Sequence, residues 1–190
     1  MGSGYIVGCK KCNKDYQLFL GIGMGYHFEY EEVMNQIKSG IFGKRMQEIV
    51  NDDEFVAVDA EDKLYVCDKC GDWGVDKSLD LYKPKSRAVV IQNEINRLSR
   101  INIFFKTVSY NEEKNELRTI NGKIVPLSEV LSHVSFYGGD KENYTRVLEV
   151  RHTCRRCGEV MREVKEDENV ELKCPDCGEV MQKNGWVNWD

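Results

Sequence analysis

Every cysteine in this 190-residue chain belongs to a Cys-x-x-Cys pair: Cys9/Cys12, Cys67/Cys70, Cys154/Cys157 and Cys174/Cys177. Two thiolates at that spacing can share one tetrahedral ion, so the eight predict two four-cysteine sites. The expected cofactor is Zn2+, two per chain. A closed four-thiolate site leaves no coordination position for substrate or activated water, so its metal is expected to be structural. Disulfides would need an oxidising compartment, and Met1-Gly2-Ser3-Gly4 has neither the charged nor the apolar part of a secretory leader. The chain is therefore expected to be cytoplasmic. A thioredoxin-like dithiol needs one pair at the start of a helix, not four matched pairs.

Sixteen residues separate Cys154-Arg155-Arg156-Cys157-Gly158 from Cys174-Pro175-Asp176-Cys177-Gly178. Gly after the second cysteine permits a tight backbone, and a short hairpin can bring two such turns together. Arg162 to Leu172 can supply that hairpin, with Asp167-Glu168-Asn169 as its turn. Residues 154–178 resemble the zinc-ribbon superfamily, with Cys154, Cys157, Cys174 and Cys177 in the ligand positions; with a closing strand the match covers about forty residues. The resemblance implies a small antiparallel zinc-bound fold. Its known members include transcription factors, ribosomal proteins, polymerase subunits and protein-docking modules, and fold alone does not choose among them. Rubredoxin-like iron sites also use two such knuckles, one of them Cys-Pro-x-Cys-Gly, so iron or thiol redox chemistry is the more distant alternative. The short spacing favours zinc.

Fifty-four residues lie between Cys12 and Cys67, but both amino-terminal knuckles follow strand-like runs, Tyr5-Ile6-Val7 and Leu64-Tyr65-Val66. Of three possible pairings, the sequence-adjacent one is preferred: residues 9–70 as one ribbon with an insertion over about 13–63, and residues 151–190 as the other. Lengthening the closed loop from sixteen to fifty-four residues costs only ~1 kcal/mol, against ~10 kcal/mol or more from a structural zinc.

The surrounding elements give an α+β class: two small antiparallel zinc ribbons, the first with a helical insertion, joined by a mixed α/β connector. The expected domains are 1–83, 84–150 and 151–190. In the insertion, Val33, Met34 and Ile37 share a helical face ending at Ser39-Gly40; Met46, Ile49 and Val50 form a second, before the strand-like Phe55-Val56-Ala57-Val58. Gly21-Ile22-Gly23-Met24-Gly25 has the position of a phosphate loop, but Phe28 stands where a third glycine belongs. Glu29, Glu31 and Glu32 would also repel phosphate, so a tight turn is expected. In the connector, Ile91, Ile95, Leu98 and Ile101 suggest a helix, 102–108 looks extended, and Asn121-Gly122 signals a hairpin between 117–120 and 123–125. Ser128 could cap a helix reaching His133, with strands at 134–137 and 145–151 beyond it.

The formal charge of −5 becomes about −9 once eight thiols ionise around two divalent ions. General attraction to nucleic acid is disfavoured. Lys10-Lys11 and Arg155-Arg156 nevertheless place basic pairs inside two knuckles, where they could meet phosphate or simply offset the metal site's negative charge. Trp73, Trp186 and Trp189 are candidate anchors for a protein partner. His27, His133 and His152 belong to no catalytic pattern. The expectation is a non-enzymatic zinc protein serving a protein-interaction or regulatory scaffold. A nucleic-acid-binding or transcription-associated ribbon protein is the alternative, and no membrane partner is expected.

Overall fold

The computed structural model describes residues 2–23, 26–53, 56–86, 107–111, 116–119, 124–126, 144–165 and 168–189. The helix expected over 91–101, the Asn121-Gly122 turn, the helix to His133 and the strand at 134–137 lie outside these residues. The chain divides into two compact units, one built from Met1–Glu29, Ala60–Leu79 and Val150–Asp190, the other from Tyr30–Asp59 and Asp80–Glu149. Among the described residues, no helix is long and apolar enough to cross a membrane.

The first unit contains two three-stranded antiparallel sheets of the same order. In one, β12 (Gln182–Trp189) pairs with β1 (Gly2–Cys9), which pairs with β2 (Lys14–Leu20). In the other, β11 (Arg162–Glu163) pairs with β4 (Asp62–Val66), which pairs with β5 (Trp73–Lys77). Strand periodicity explains the burial. Val7 and Cys9 lie on one face of β1, opposite Tyr16 and near Leu18 of β2, and join Leu64, Val66, Leu172, Cys174 and Met181 in a single core. Each of those side chains contributes roughly 1.5–3 kcal/mol if fully removed from water. The registers Ile6 to Gly185 and Val7 to Lys183 leave Asn184 as a bulge residue. Its amide crosses above Gly8 to donate to Asp15 at 3.0 Å, where a Cβ on residue 8 would lie only 2.0 Å from the Asn184 nitrogen.

Among the described residues of 162–172, the expected hairpin is replaced by other pairings. Arg162 and Glu163 pair instead with Val66 and Tyr65 of β4, and the Leu172 carbonyl accepts from the Met181 N–H at 2.8 Å. Gly21, in the glycine-rich stretch, has φ +80° and exchanges backbone hydrogen bonds with Asp62 at 2.8 and 3.1 Å. It therefore splices the end of β2 to the start of β4, and Glu29 is paired with Lys77 at 2.7 Å. The left-handed φ accounts for this glycine, and Met24 and Gly25 lie outside the described residues.

In the second unit, α1 begins at Tyr26 in the first and runs to Lys38, with Tyr30, Val33, Met34 and Ile37 buried at helical spacing. It ends in a Schellman turn: Gly40, at φ +85°, donates to the Ile37 carbonyl and Ile41 to that of Gln36. Helix α2 (Lys44–Asp52) buries Met46 and Val50. Strand β6 (Leu81–Pro84) lies between β3 (Ala57–Val58) and β10 (Tyr144–Leu148). A further sheet joins β7 (Thr107–Asn111), β8 (Glu116–Thr119) and β9 (Ile124–Pro126), so the strands flanking the Asn121-Gly122 signal do pair, Leu117 with Val125.

Candidate metal centres

The eight cysteines gather into two clusters, each with its four sulfurs within 4.8 Å of one another: Cys9, Cys12, Cys174 and Cys177 in one, Cys67, Cys70, Cys154 and Cys157 in the other. The sequence-adjacent pairing is thus overturned. The first knuckle joins the fourth and the second joins the third, because β12 carries the fourth knuckle to β1 while β11 carries the third to β4. We call these the outer and inner centres.

The outer sulfurs lie 3.6 Å apart for Cys9 and Cys177 and 4.0 Å for Cys12 and Cys174; the inner ones lie 3.5 Å apart for Cys67 and Cys157 and 3.6 Å for Cys70 and Cys154. Metal–sulfur bonds of about 2.3 Å place tetrahedral neighbours about 3.8 Å apart, whereas a disulfide needs about 2 Å. The clusters fit a four-coordinate metal. Their acid–base balance agrees. Backbone N–H donation, first from Cys70, draws Cys67 down to about 7. Cys174 reaches about 6, because the N–H groups of Asp176 and Cys177 and the Tyr16 hydroxyl outweigh the upward push of burial. Hydrogen bonding to Cys177 raises Cys12 to about 12, and burial raises Cys154 to about 12. Four crowded sulfurs cannot all ionise without a cation among them.

Backbone geometry builds the knuckles. Gly71, Gly158 and Gly178 have φ of 73–74°, and each donates its N–H to the carbonyl of the first cysteine of its knuckle, at 2.8, 2.9 and 2.8 Å. The equivalent residue of the first knuckle is Asn13, at φ 53°. Asparagine tolerates this left-handed region better than other side chains do.

Each centre combines one dibasic knuckle with one that carries an acid: Lys10-Lys11 with Asp176, and Arg155-Arg156 with Asp68. Lys14 bridges to Asp176, which is held below the usual carboxylate range first by that lysine and then by Tyr16. Arg162 bridges to Asp68 at 2.9 Å and Lys69 to Glu159 at 2.6 Å. Two contacts made to ligand sulfurs carry no metal-binding motif of their own. The Tyr16 hydroxyl lies 3.7 Å from Cys174 Sγ, and Asp72 Oδ2 lies 3.5 Å from Cys154 Sγ.

The tryptophans divide. Trp73 is tied into the fold: its indole N–H donates to the Lys173 carbonyl at 2.7 Å and its ring meets Tyr16 edge-on at 6.0 Å. Trp186 is 74% exposed, with Lys183 Nζ 3.5 Å above its ring centroid and Tyr5 edge-on at 6.5 Å. The Trp189 side chain lies outside what is described, as do those of His27 and His133. His152 stacks on Tyr65 at 3.9 Å with Nε2 3.2 Å from the Ser78 carbonyl, a packing role rather than a ligand's.

The pairing has a counterpart in the sequence. Cys-Gly-Glu-Val-Met occurs at both 157–161 and 177–181. The two copies fold alike, with bridges Thr153 to Val160 and Lys173 to Val180. In this fold the duplicated knuckles are the same half of two sites. Fold and site together define an α+β-like protein with two four-cysteine centres that could each hold a metal ion and are compatible with zinc ribbons. In comparisons with known proteins, no family model matches this chain, and neither a curated protein nor a solved structure does.

Proposed function

We propose that this chain is a non-enzymatic, intracellular two-zinc protein in which the ions hold residues 1–29, 60–79 and 150–190 together as a scaffold for a protein partner. The observation that carries the reading is the pair of closed four-sulfur clusters with near-tetrahedral spacing. Tetrahedral sulfur sites favour zinc, and a filled set of thiolate ligands holds a structural ion rather than one that turns over substrate. Eight cysteines kept as thiols suit a reducing compartment. Trp186, beside Tyr5 and Lys183, is the aromatic surface best suited to anchor a partner.

Native mass spectrometry with elemental analysis tests this directly. Two zinc ions per chain are expected; iron or disulfide-bonded mass would instead support redox chemistry.

A second reading, nucleic-acid recognition, is favoured by Lys10, Lys11, Arg155 and Arg156. All four are exposed, and none forms an ion pair among the described residues. Reversing these four charges should abolish DNA or RNA binding at low salt, and unchanged binding eliminates the reading.

A further inference from the structure

We infer that the two centres load as one unit: a metal at either four-cysteine site raises the affinity of the other, so the one-ion form of the protein is disfavoured. This inference rests on reading both clusters as zinc sites. Their supports are shared. Val7 and Leu18 from the outer sheet and Leu64 and Val66 from the inner one bury in a single cluster with Leu172 and Met181, and the outer ligands Cys9 and Cys174 belong to it.

Trp73, on inner strand β5, donates to the carbonyl of Lys173, the residue just before ligand Cys174. Its ring packs on Tyr16, whose hydroxyl reaches the Cys174 sulfur. Gly71, immediately after ligand Cys70, lies so near Lys173 that a Cβ there would be 3.0 Å from its Cδ. The link between the two carboxyl-terminal knuckles is also tied down, since the Val164 N–H donates to Leu64 at 2.8 Å and Val164 and Val170 pack on the same core.

Ordering one centre therefore fixes groups on which the other depends. The first ion bears the cost of ordering the common core, and the second meets a site already formed. The inner sheet is poorly equipped to stand alone, since β11 is two residues long and leaves it close to a two-stranded hairpin.

The test uses the full chain, stripped of metal by a chelator at low pH under reductant and titrated with Zn2+ alone while native mass spectrometry counts bound ions. At one equivalent, the one-ion form should fall well below the share that two independent sites of the affinities measured in single-centre variants would give. Cys154→Ser removes an inner ligand only, and should lower zinc affinity at the outer centre at least tenfold in chelator competition. One-ion chains as abundant as two independent sites of the separately measured affinities would give, or an unchanged outer affinity in Cys154→Ser, would overturn the coupling while leaving the two-zinc reading intact. A wild-type chain that takes up no zinc overturns both.

Discussion

Tyr16 and Asp72 make the two centres chemically unequal. The Tyr16 hydroxyl, whose one hydrogen is shared between Asp176 Oδ2 at 3.2 Å and Cys174 Sγ at 3.7 Å, stabilises charge on that sulfur, whereas a carboxylate 3.5 Å from Cys154 Sγ opposes it. Groups behind the ligands typically change metal affinity by about 10–100-fold. Tyr16→Phe should therefore hasten zinc transfer to a competing chelator, and Asp72→Asn should slow it. Effects of the same sign, or none, would show that these contacts do not tune the sites. That the eight thiols gather in fours was legible from sequence, because four thiol pairs at one spacing have few uses other than metal binding. Tyr16 and Asp72 were not, since each acts on a sulfur remote in sequence. Tyr16 reads as an ordinary strand aromatic until the fold sets it against a knuckle 158 residues away.

Among the elements, α1, α2 and the β8/β9 pair followed from local pattern and β11 did not. Alternation in β1, the helical spacing of Tyr30, Val33 and Ile37, and the β8/β9 pair are consequences of neighbouring residues. Strand β11 is two residues long, too short to show a period, and its place beside β4 is set by the inner centre. The knuckle turns lie between these cases. Gly178 sits at φ 74° with open space where a Cβ would go, so Gly178→Ala meets backbone strain and no collision. It should cost about 1–2 kcal/mol in denaturant unfolding of the metal-loaded protein. Asn13→Gly, at φ 53° in the matching turn, should shift stability by less than about 1 kcal/mol. If Gly178→Ala is as mild as Asn13→Gly, the left-handed turn is not what shapes these knuckles.

At the scale of the whole molecule, chain statistics favour the adjacent pairing only weakly, which is why sequence distance misleads. Adjacent pairing closes loops of fifty-four and sixteen residues. The nested arrangement closes eighty-three around the inner centre and then joins the remaining segments at the outer one. The entropic difference is about 2 kcal/mol. Burying one side chain such as Leu18, Leu64 or Leu172 offsets roughly that amount, and all three share the core. Packing therefore decides the topology, and pairwise packing is what a linear reading lacks. The repeated Cys-Gly-Glu-Val-Met was the available clue. Truncation separates the two topologies. A chain ending at residue 150 keeps Cys9, Cys12, Cys67 and Cys70, a full ligand set under adjacent pairing but half of each centre in the nested fold. Native mass spectrometry of that fragment should find no stably bound zinc. One retained ion would mean that the amino-terminal knuckles can close on each other, and that the carboxyl-terminal segment is not needed to complete either site.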